Sequence, residues 1–171
     1  VHGLYAENIN INSEINPDTP YAKSKWLAEE LIRMSGVNHC ILRIGGVFGL
    51  NGPMHLGLNR TILDVIEKIS PKIYGDGRVQ RNYVYLWDVA KTVGTVIKND
   101  IVGVHLLAGT ECATVDSMVA QVCEVLTHEV LPDKIPGDRA KNQLIEPSDV
   151  LPKTRSFQAA LEDIKLRLDV S

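Results

Sequence analysis

The stretch PYAKSKWLAEEL at residues 20–31 decides how the fold of this chain is interpreted. Asp18 and Thr19 precede it, and such residues cap helices whose first position is often proline. Its apolar residues recur at helical spacing: Trp26, Leu27, Ala28, Leu31 and Ile32. Gly36 follows at a position suited to ending a helix. The sequence therefore predicts an amphipathic helix that begins near Pro20 and ends before Gly36.

A tyrosine and a lysine, Tyr21 and Lys25, stand one helical turn apart in this stretch. At that spacing their Cβ atoms lie about 5–6 Å apart on one helix face. A phenol is a poor base at neutral pH, but a cation about 4 Å away favours its charged form by about 4 kcal/mol at an effective dielectric near 20. Such a pair can serve proton transfer. It also fits exposed neighbours without chemistry, because a chain of this length has about a one in three chance of containing the pattern.

Further motifs follow this helix along the chain. Residues 40–44 are typical of a short apolar strand, and the glycine-rich residues 45–49 of a loop. Together with the helix, the motifs form four ordered blocks: Tyr21-x-x-x-Lys25, Leu42-Arg43-x-x-x-Val47-Phe48-Gly49, Gly75-Asp76-Gly77 and Arg81-x-Tyr83-Val84-x-x-x-Asp88. An ordered set of four is far more specific than any one of them.

In order and spacing these blocks resemble the extended short-chain dehydrogenase/reductases. Among them they are most similar to the NAD-dependent epimerase/dehydratases that act on nucleotide sugars. Val1-His2-Gly3 also resembles the Val-Tyr-Gly block that precedes the tyrosine in that family. The resemblance covers the chain to about residue 109 and continues weakly through residues 148–149 and 157–168.

The resemblance implies an enzyme that uses NAD or NADP. Tyr21 would move a hydroxyl proton while hydride passes to or from the nicotinamide. Lys25 would favour the charged form of that phenol and hydrogen-bond the nicotinamide ribose. In the family the nicotinamide packs against this loop, so the resemblance implies Ile44 and Val47 as its contacts; the loop leaves the carboxyl end of a strand, where open α/β sheets place ligands. The glycines between them are equally explained by a tight turn.

The substrate implied by the resemblance is a nucleotide sugar. Arg81 matches the arginine that grips the diphosphate, although an ordinary salt-bridged loop arginine is the alternative. Gly46 departs from the asparagine that contacts substrate in many such enzymes. Asn82 and Tyr85 replace an aspartate and a histidine. Arg139 is a second candidate phosphate ligand on position alone, with surface exposure as its alternative.

The coarse pattern predicts an α/β fold: the C-terminal part of a Rossmann-like parallel sheet with helices, plus a small α/β substrate-binding lobe. Helices are expected over residues 58–69, 88–98 (capped by Asp88), 114–126 and 157–168. Strands are expected over residues 72–74, 82–85 and 102–107, and residues 132–155 are expected to be irregular. We assign residues 1–50 and 86–110 to the Rossmann part, and residues 51–85 and 111–171 to the lobe.

Composition narrows the function classes. A net charge of −3 and a pI near 5.9 give no basic surface for nucleic acid. No apolar run approaches the length of a membrane span, about 18 residues. Cys40, Cys112 and Cys123 are expected to be reduced interior thiols of a cytoplasmic protein. The five histidines show no ligand spacing with one another or with cysteine, so no metal site is predicted.

The sequence contains no Gly-x-Gly-x-x-Gly motif to bind a dinucleotide pyrophosphate. By the resemblance, the family's catalytic Ser or Thr would lie just before Val1. We therefore expect the chain to be the C-terminal half of a longer enzyme. Two other interpretations stay open: a related reductase of the dTDP-4-dehydrorhamnose type, and a non-catalytic relative that binds a nucleotide or a partner. An intact Gly-rich loop and Ser/Thr in the parent gene would favour an enzyme.

By itself, the 171-residue chain is expected neither to bind NAD tightly nor to turn substrate over, and we expect the protein to be a homo-oligomer. Strand 40–44 would lack a neighbour, and exposed apolar strand edges drive self-association. Size-exclusion chromatography with light scattering should give a mass above that of one chain. A compact monomer would contradict this expectation.

Overall fold

The computed structural model describes residues 1–3, 6–137 and 140–169. Its helices are α1 (Pro20–Met34), α2 (Gly57–Ile66), α3 (Leu86–Lys98), α4 (Val115–Leu126) and α5 (Phe157–Asp169). Its strands are β1 (Asn8–Ile9), β2 (Cys40–Ile44), β3 (Val47–Phe48), β4 (Lys72–Tyr74), β5 (Gln80–Arg81), β6 (Val84–Tyr85), β7 (Gly103–Leu107), β8 (Ala113–Thr114), β9 (Asp133–Ile135) and β10 (Leu144–Ile145). The predicted mixed α/β fold is confirmed.

Strands pair mostly in parallel. The longest pair joins β2 to β7, in register from Cys40 opposite Gly103 to Ile44 opposite Leu107. Pairs β1–β10, β3–β6 and β4–β9 are also parallel, whereas β5–β8 is antiparallel. Parallel strands need a long crossover, which α3 provides before β7.

Two apolar clusters hold these elements together. The larger joins α2, α4 and α5 over β4, with Val65, Ile73, Val122 and Leu161 almost fully buried. The smaller lies between α3 and the β2–β7 pair, around Val84 and Leu107.

Helix α1 begins and ends as predicted, but its apolar stripe does not face inward. The Thr19 hydroxyl accepts a hydrogen bond from the Ala22 amide at 3.0 Å, and Gly36 takes the left-handed conformation just past the helix. Leu27 and Leu31 are 53% and 68% exposed. The buried side chains of α1 are instead Ala22 and Glu29.

A buried ion pair fastens α1 to the sheet instead. The Glu29 carboxylate lies 2.7 Å from an Arg43 guanidinium nitrogen on β2 and 3.0 Å from Arg33. The Arg43 guanidinium also lies 3.2 Å from a ring nitrogen of His2. Burial alone would raise the pKa of Glu29, but the hydrogen bonds and positive charges of Arg43 and Arg33 outweigh it. The pKa of Glu29 is therefore lowered.

Asp88 does not cap α3. The helix begins at Leu86, and its N-cap residue is Tyr85, which places Asp88 inside the first turn. The buried Asp88 carboxylate accepts bonds from the Arg155 backbone amide at 2.9 Å and from its guanidinium at 2.8 Å. Its role is thus to bind the chain segment that leads into α5.

Other differences concern short strands and one cysteine. Residues 132–155 contain β9 and β10. Of the strand expected over residues 82–85 only β6 (Val84–Tyr85) forms, and β5 (Gln80–Arg81) precedes it. These strands have two or three residues, too few for an alternating pattern to be visible in the sequence. Cys112 is exposed, so the expectation of an interior thiol fails there.

We predict that Glu29→Gln lowers the free energy of unfolding of the full-length protein by about 3 kcal/mol at pH 7, because it leaves Arg43 with half of a buried ion pair. Because the pKa of Glu29 is lowered in the folded state, its ionised carboxylate stabilises the protein at pH values above the ordinary pKa of 4.5. That contribution is lost as the pH falls through the folded-state pKa of Glu29. The variant and the wild type should therefore converge in acid. Urea unfolding from pH 7 to pH 3 measures both.

Glu30→Gln is the matched control. Among the described residues Glu30 forms an ion pair with Arg33 only, and its side chain is 40% exposed, so its loss should cost less than about 1 kcal/mol. Equal effects of the two substitutions would contradict the role given to Glu29.

Candidate active site

The Tyr21 and Lys25 side chains lie on one face at the start of α1, as their spacing predicts. The Lys25 ammonium nitrogen is 5.4 Å from the centroid of the Tyr21 ring. Tyr21 is 71% exposed and Lys25 is also exposed. Both polar ends are thus open to a ligand that approaches the helix N-terminus.

Two of the predicted substrate residues share a cleft of ≈ 270 Å³. Gly46 comes from the loop after β2, and Arg81 from β5. The cleft is also lined by His55, Tyr83, Gln143 and Ile145. Tyr21 and Lys25 do not line it. Sequence reasoning assigned no role to His55, Gln143 or Ile145, and none of them stands in a recognisable motif.

Backbone carbonyls hold the Arg81 guanidinium in place. One of its nitrogens donates to the Gln80 carbonyl at 2.8 Å and to the Lys141 carbonyl at 2.7 Å. The guanidinium also interacts with the Tyr83 hydroxyl. Burial raises the pKa of Tyr83 and outweighs the opposing effect of Arg81. Tyr83 is therefore a neutral hydroxyl at physiological pH.

Asn82 connects three parts of the chain beneath the cleft. Its buried amide nitrogen donates to the Gly109 carbonyl at 2.9 Å and to the Ile145 carbonyl at 2.6 Å, while its oxygen accepts from the Ile145 amide at 3.0 Å. An aspartate has no N–H to donate to those two carbonyls. The departure from the aspartate expected by resemblance thus has a structural reason.

A second buried asparagine, Asn59 on α2, fixes β3 and the loop that follows it. Its oxygen accepts from the Gly49 amide at 3.1 Å. Its amide group donates to the carbonyls of Val47 at 3.1 Å and Pro53 at 3.2 Å. Sequence reasoning missed this residue, since a polar side chain on a helix is usually exposed.

The predicted nicotinamide contacts lie apart from this cleft. Ile44 is 41% exposed and lines a groove of ≈ 790 Å³ between β2 and α3, together with Val93 and Ile97. Val47 packs against the smaller apolar cluster. Arg139 lies outside the described residues.

No helix within residues 1–3, 6–137 and 140–169 is long and apolar enough to cross a membrane. In the same part of the chain, no group of three or more His, Cys, Asp or Glu side chains is arranged to hold a metal ion.

A family model described as "NAD dependent epimerase/dehydratase family" matches residues 3–109. A curated relative from Methanocaldococcus jannaschii, named "Putative UDP-glucose 4-epimerase", is 33% identical over 131 residues, which are 71% of this chain and 41% of the relative. The chain spans about half the length of the curated relatives it matches.

Solved structures share the fold. The UDP-N-acetylglucosamine 4-epimerase of Methanobrevibacter ruminantium, solved with UDP-N-acetylmuramic acid, matches with a TM-score of 0.80 at 22% identity over 98% of this chain and 60% of that one. The UDP-glucose 4-epimerase of Thermus thermophilus in complex with NAD matches with a TM-score of 0.77 at 19% identity, over 97% and 60%. These likenesses show the fold alone.

We predict that Asn82→Asp destabilises the full-length protein by about 1–3 kcal/mol, because it removes two donors and sets a carboxylate against two buried carbonyls. Asn142→Asp is the matched control, since the Asn142 oxygen accepts from the Gln80 amide and an aspartate keeps that acceptor. Thermal unfolding should separate the two variants. Similar melting temperatures would show that the Asn82 amide does not join these segments.

Proposed function

Because the chain belongs to the NAD-dependent epimerase/dehydratase family, we propose that it supplies the proton-transfer pair and the substrate cleft of an NAD(P)-dependent enzyme that acts on a nucleotide sugar. The observation that carries the proposal is the exposed Tyr21 hydroxyl with the Lys25 ammonium beside its ring, at the N-terminus of α1. The cleft formed by Arg81 and Gly46 supports it.

In this proposal Tyr21 is the general base and acid. Its phenolic oxygen takes the proton of a sugar hydroxyl as the carbinol carbon is oxidised, and returns it when the carbonyl is reduced. When bound, NAD(P) would supply the hydride acceptor and donor for this chemistry. Lys25 places its ammonium 5.4 Å from the centroid of the Tyr21 ring and would donate a hydrogen bond to the nicotinamide ribose.

The residues present fit one end of a dinucleotide. Tyr21 and Lys25 offer exposed donors for a ribose, and Ile44 offers an exposed apolar side chain for the nicotinamide. Val47 is the second proposed nicotinamide contact, on the strand that continues past the same loop. The sequence has no Gly-x-Gly-x-x-Gly, so no residue of it is assigned to the pyrophosphate or to a choice between NAD and NADP.

Arg81 is the proposed ligand of the substrate diphosphate. A guanidinium presents several N–H donors in a planar fork that matches phosphate oxygens. Its fixed position at the cleft supports this role. Gly46 contributes backbone only, and Arg139 is proposed as a second phosphate ligand on its position in the sequence.

Three wider features belong to the same proposal. From the resemblance, residues 1–50 and 86–110 are proposed as the Rossmann part and residues 51–85 and 111–171 as the lobe; the apolar clusters cross this division, since Phe48 belongs to the larger cluster and Val84 and Leu151 to the smaller. The exposed Leu27, Leu31 and Met34 of α1 support assembly as a homo-oligomer. The three free cysteines support a cytoplasmic location.

We predict that Tyr21→Phe in the full-length protein lowers kcat for a nucleotide sugar by about 10²–10⁴-fold, because it removes the group that carries the proton. Binding of NAD(H), followed by nicotinamide fluorescence, should remain. Steady-state rates with a panel of nucleotide sugars measure the first effect, and a fluorescence titration measures the second.

Tyr74→Phe is the matched control, since Tyr74 is another tyrosine with 67% exposure; it should leave kcat unchanged. Arg81→Lys should act mainly on KM, because it keeps the charge and loses the fork. Full activity in Tyr21→Phe, or a wild type that binds NAD(H) and turns over no nucleotide sugar, would contradict the proposed function.

A further inference from the structure

The Tyr83 ring lies directly against Gly46. A Cβ atom added to Gly46 would come within 2.4 Å and 2.5 Å of two Tyr83 ring carbons, far inside van der Waals contact. Gly46 is not among the glycines with positive φ. The glycine is therefore required by the space that Tyr83 occupies rather than by the backbone conformation.

The backbone at Tyr83 is held on both sides. On one side the Val84 amide donates to the Gly46 carbonyl at 2.9 Å. On the other side a Cβ on Gly109 would meet the Tyr83 carbonyl oxygen at 2.2 Å. Asn82, the residue before Tyr83, is held by side-chain hydrogen bonds to the carbonyls of Gly109 and Ile145. The backbone at Tyr83 is thus enclosed between two glycines.

This placement replaces a polar contact with an aromatic one. Tyr83 lines the same cleft as Gly46 and Arg81. With no side chain at position 46, no amide reaches the substrate from there, and the ring occupies that volume. Aromatic rings present an apolar face and, in tyrosine, a polar end.

We infer that Tyr83 is the specificity-determining residue of the cleft: seated over Gly46, its ring contacts the pyranose ring of the nucleotide sugar. The inference rests on the proposed function and deepens it. It applies to Gly46 and Tyr83 as a pair, because the Tyr83 ring fits at this position only when residue 46 has no side chain.

A double-mutant cycle on the full-length protein tests the pair, with UDP-glucose and UDP-N-acetylglucosamine as probes. Gly46→Ala should raise KM by at least about tenfold, because its methyl group must displace the Tyr83 ring. Tyr83→Ala should also raise KM and change the ratio of kcat/KM between the probes. In the Tyr83→Ala background, Gly46→Ala should change KM by less than about twofold.

Tyr83→Phe separates the ring from the hydroxyl. It should keep the kcat/KM ratio between the probes within about threefold of wild type, because the ring remains. A Gly46→Ala protein that fails to fold while the double variant folds shows the same coupling. Additive effects on KM, or an unchanged ratio in Tyr83→Ala, would overturn the inference alone. A wild type without turnover of any nucleotide sugar would overturn it together with the proposed function.

Discussion

The backbone of residues 82–84 is packed tightly between Gly46 and Gly109, and the candidate substrate cleft depends on this packing. The Val84 amide bonds to the Gly46 carbonyl, and the Gly109 amide bonds to the Asn82 carbonyl at 3.2 Å. At both glycines an added Cβ would overlap Tyr83. Contacts this close exist only because neither neighbour has a side chain.

The strand order explains why these segments meet. Gly46 follows β2 and Gly109 follows β7, and those two strands are parallel partners in register over five residues. Loops at the same end of a parallel pair are necessarily neighbours, and ligands bind at that end of open α/β sheets. Between them β6 pairs with β3, which brings Tyr83 and Arg81 to the same edge. The cleft is thus a consequence of topology, and its shape is a consequence of two glycines.

The sequence predicted what depends on local or strongly periodic patterns. The cap at Thr19, the turn beyond α1 and the strand at residues 40–44 follow from short-range chemistry, and the structure has each of them. It did not predict the contact between Gly46 and Tyr83, because those residues are far apart along the chain. In the sequence Asn82 stood out only because it replaces the aspartate of the family pattern. The hydrogen bonds of its amide group explain that replacement. Buried polar groups such as Glu29 are missed for a general reason: a charged residue is expected outside unless its partner is known.

The ion pair between Glu29 and Arg43 links the two parts of the proposed site. Glu29 lies two turns along α1 from Tyr21, and Arg43 lies three residues before Gly46 on the strand that leads into the cleft. A shift of α1 along the sheet would break a buried charge pair, which costs several kcal/mol. Proton-transfer groups tolerate little displacement, since a misplacement of about 1 Å can cost about 10²-fold in rate. An ion pair between the half-exposed helix α1 and strand β2 is therefore better suited than an apolar stripe to fixing the position of Tyr21. The ion pair constrains both the distance and the orientation of its two groups, whereas apolar contacts allow one element to slide along another.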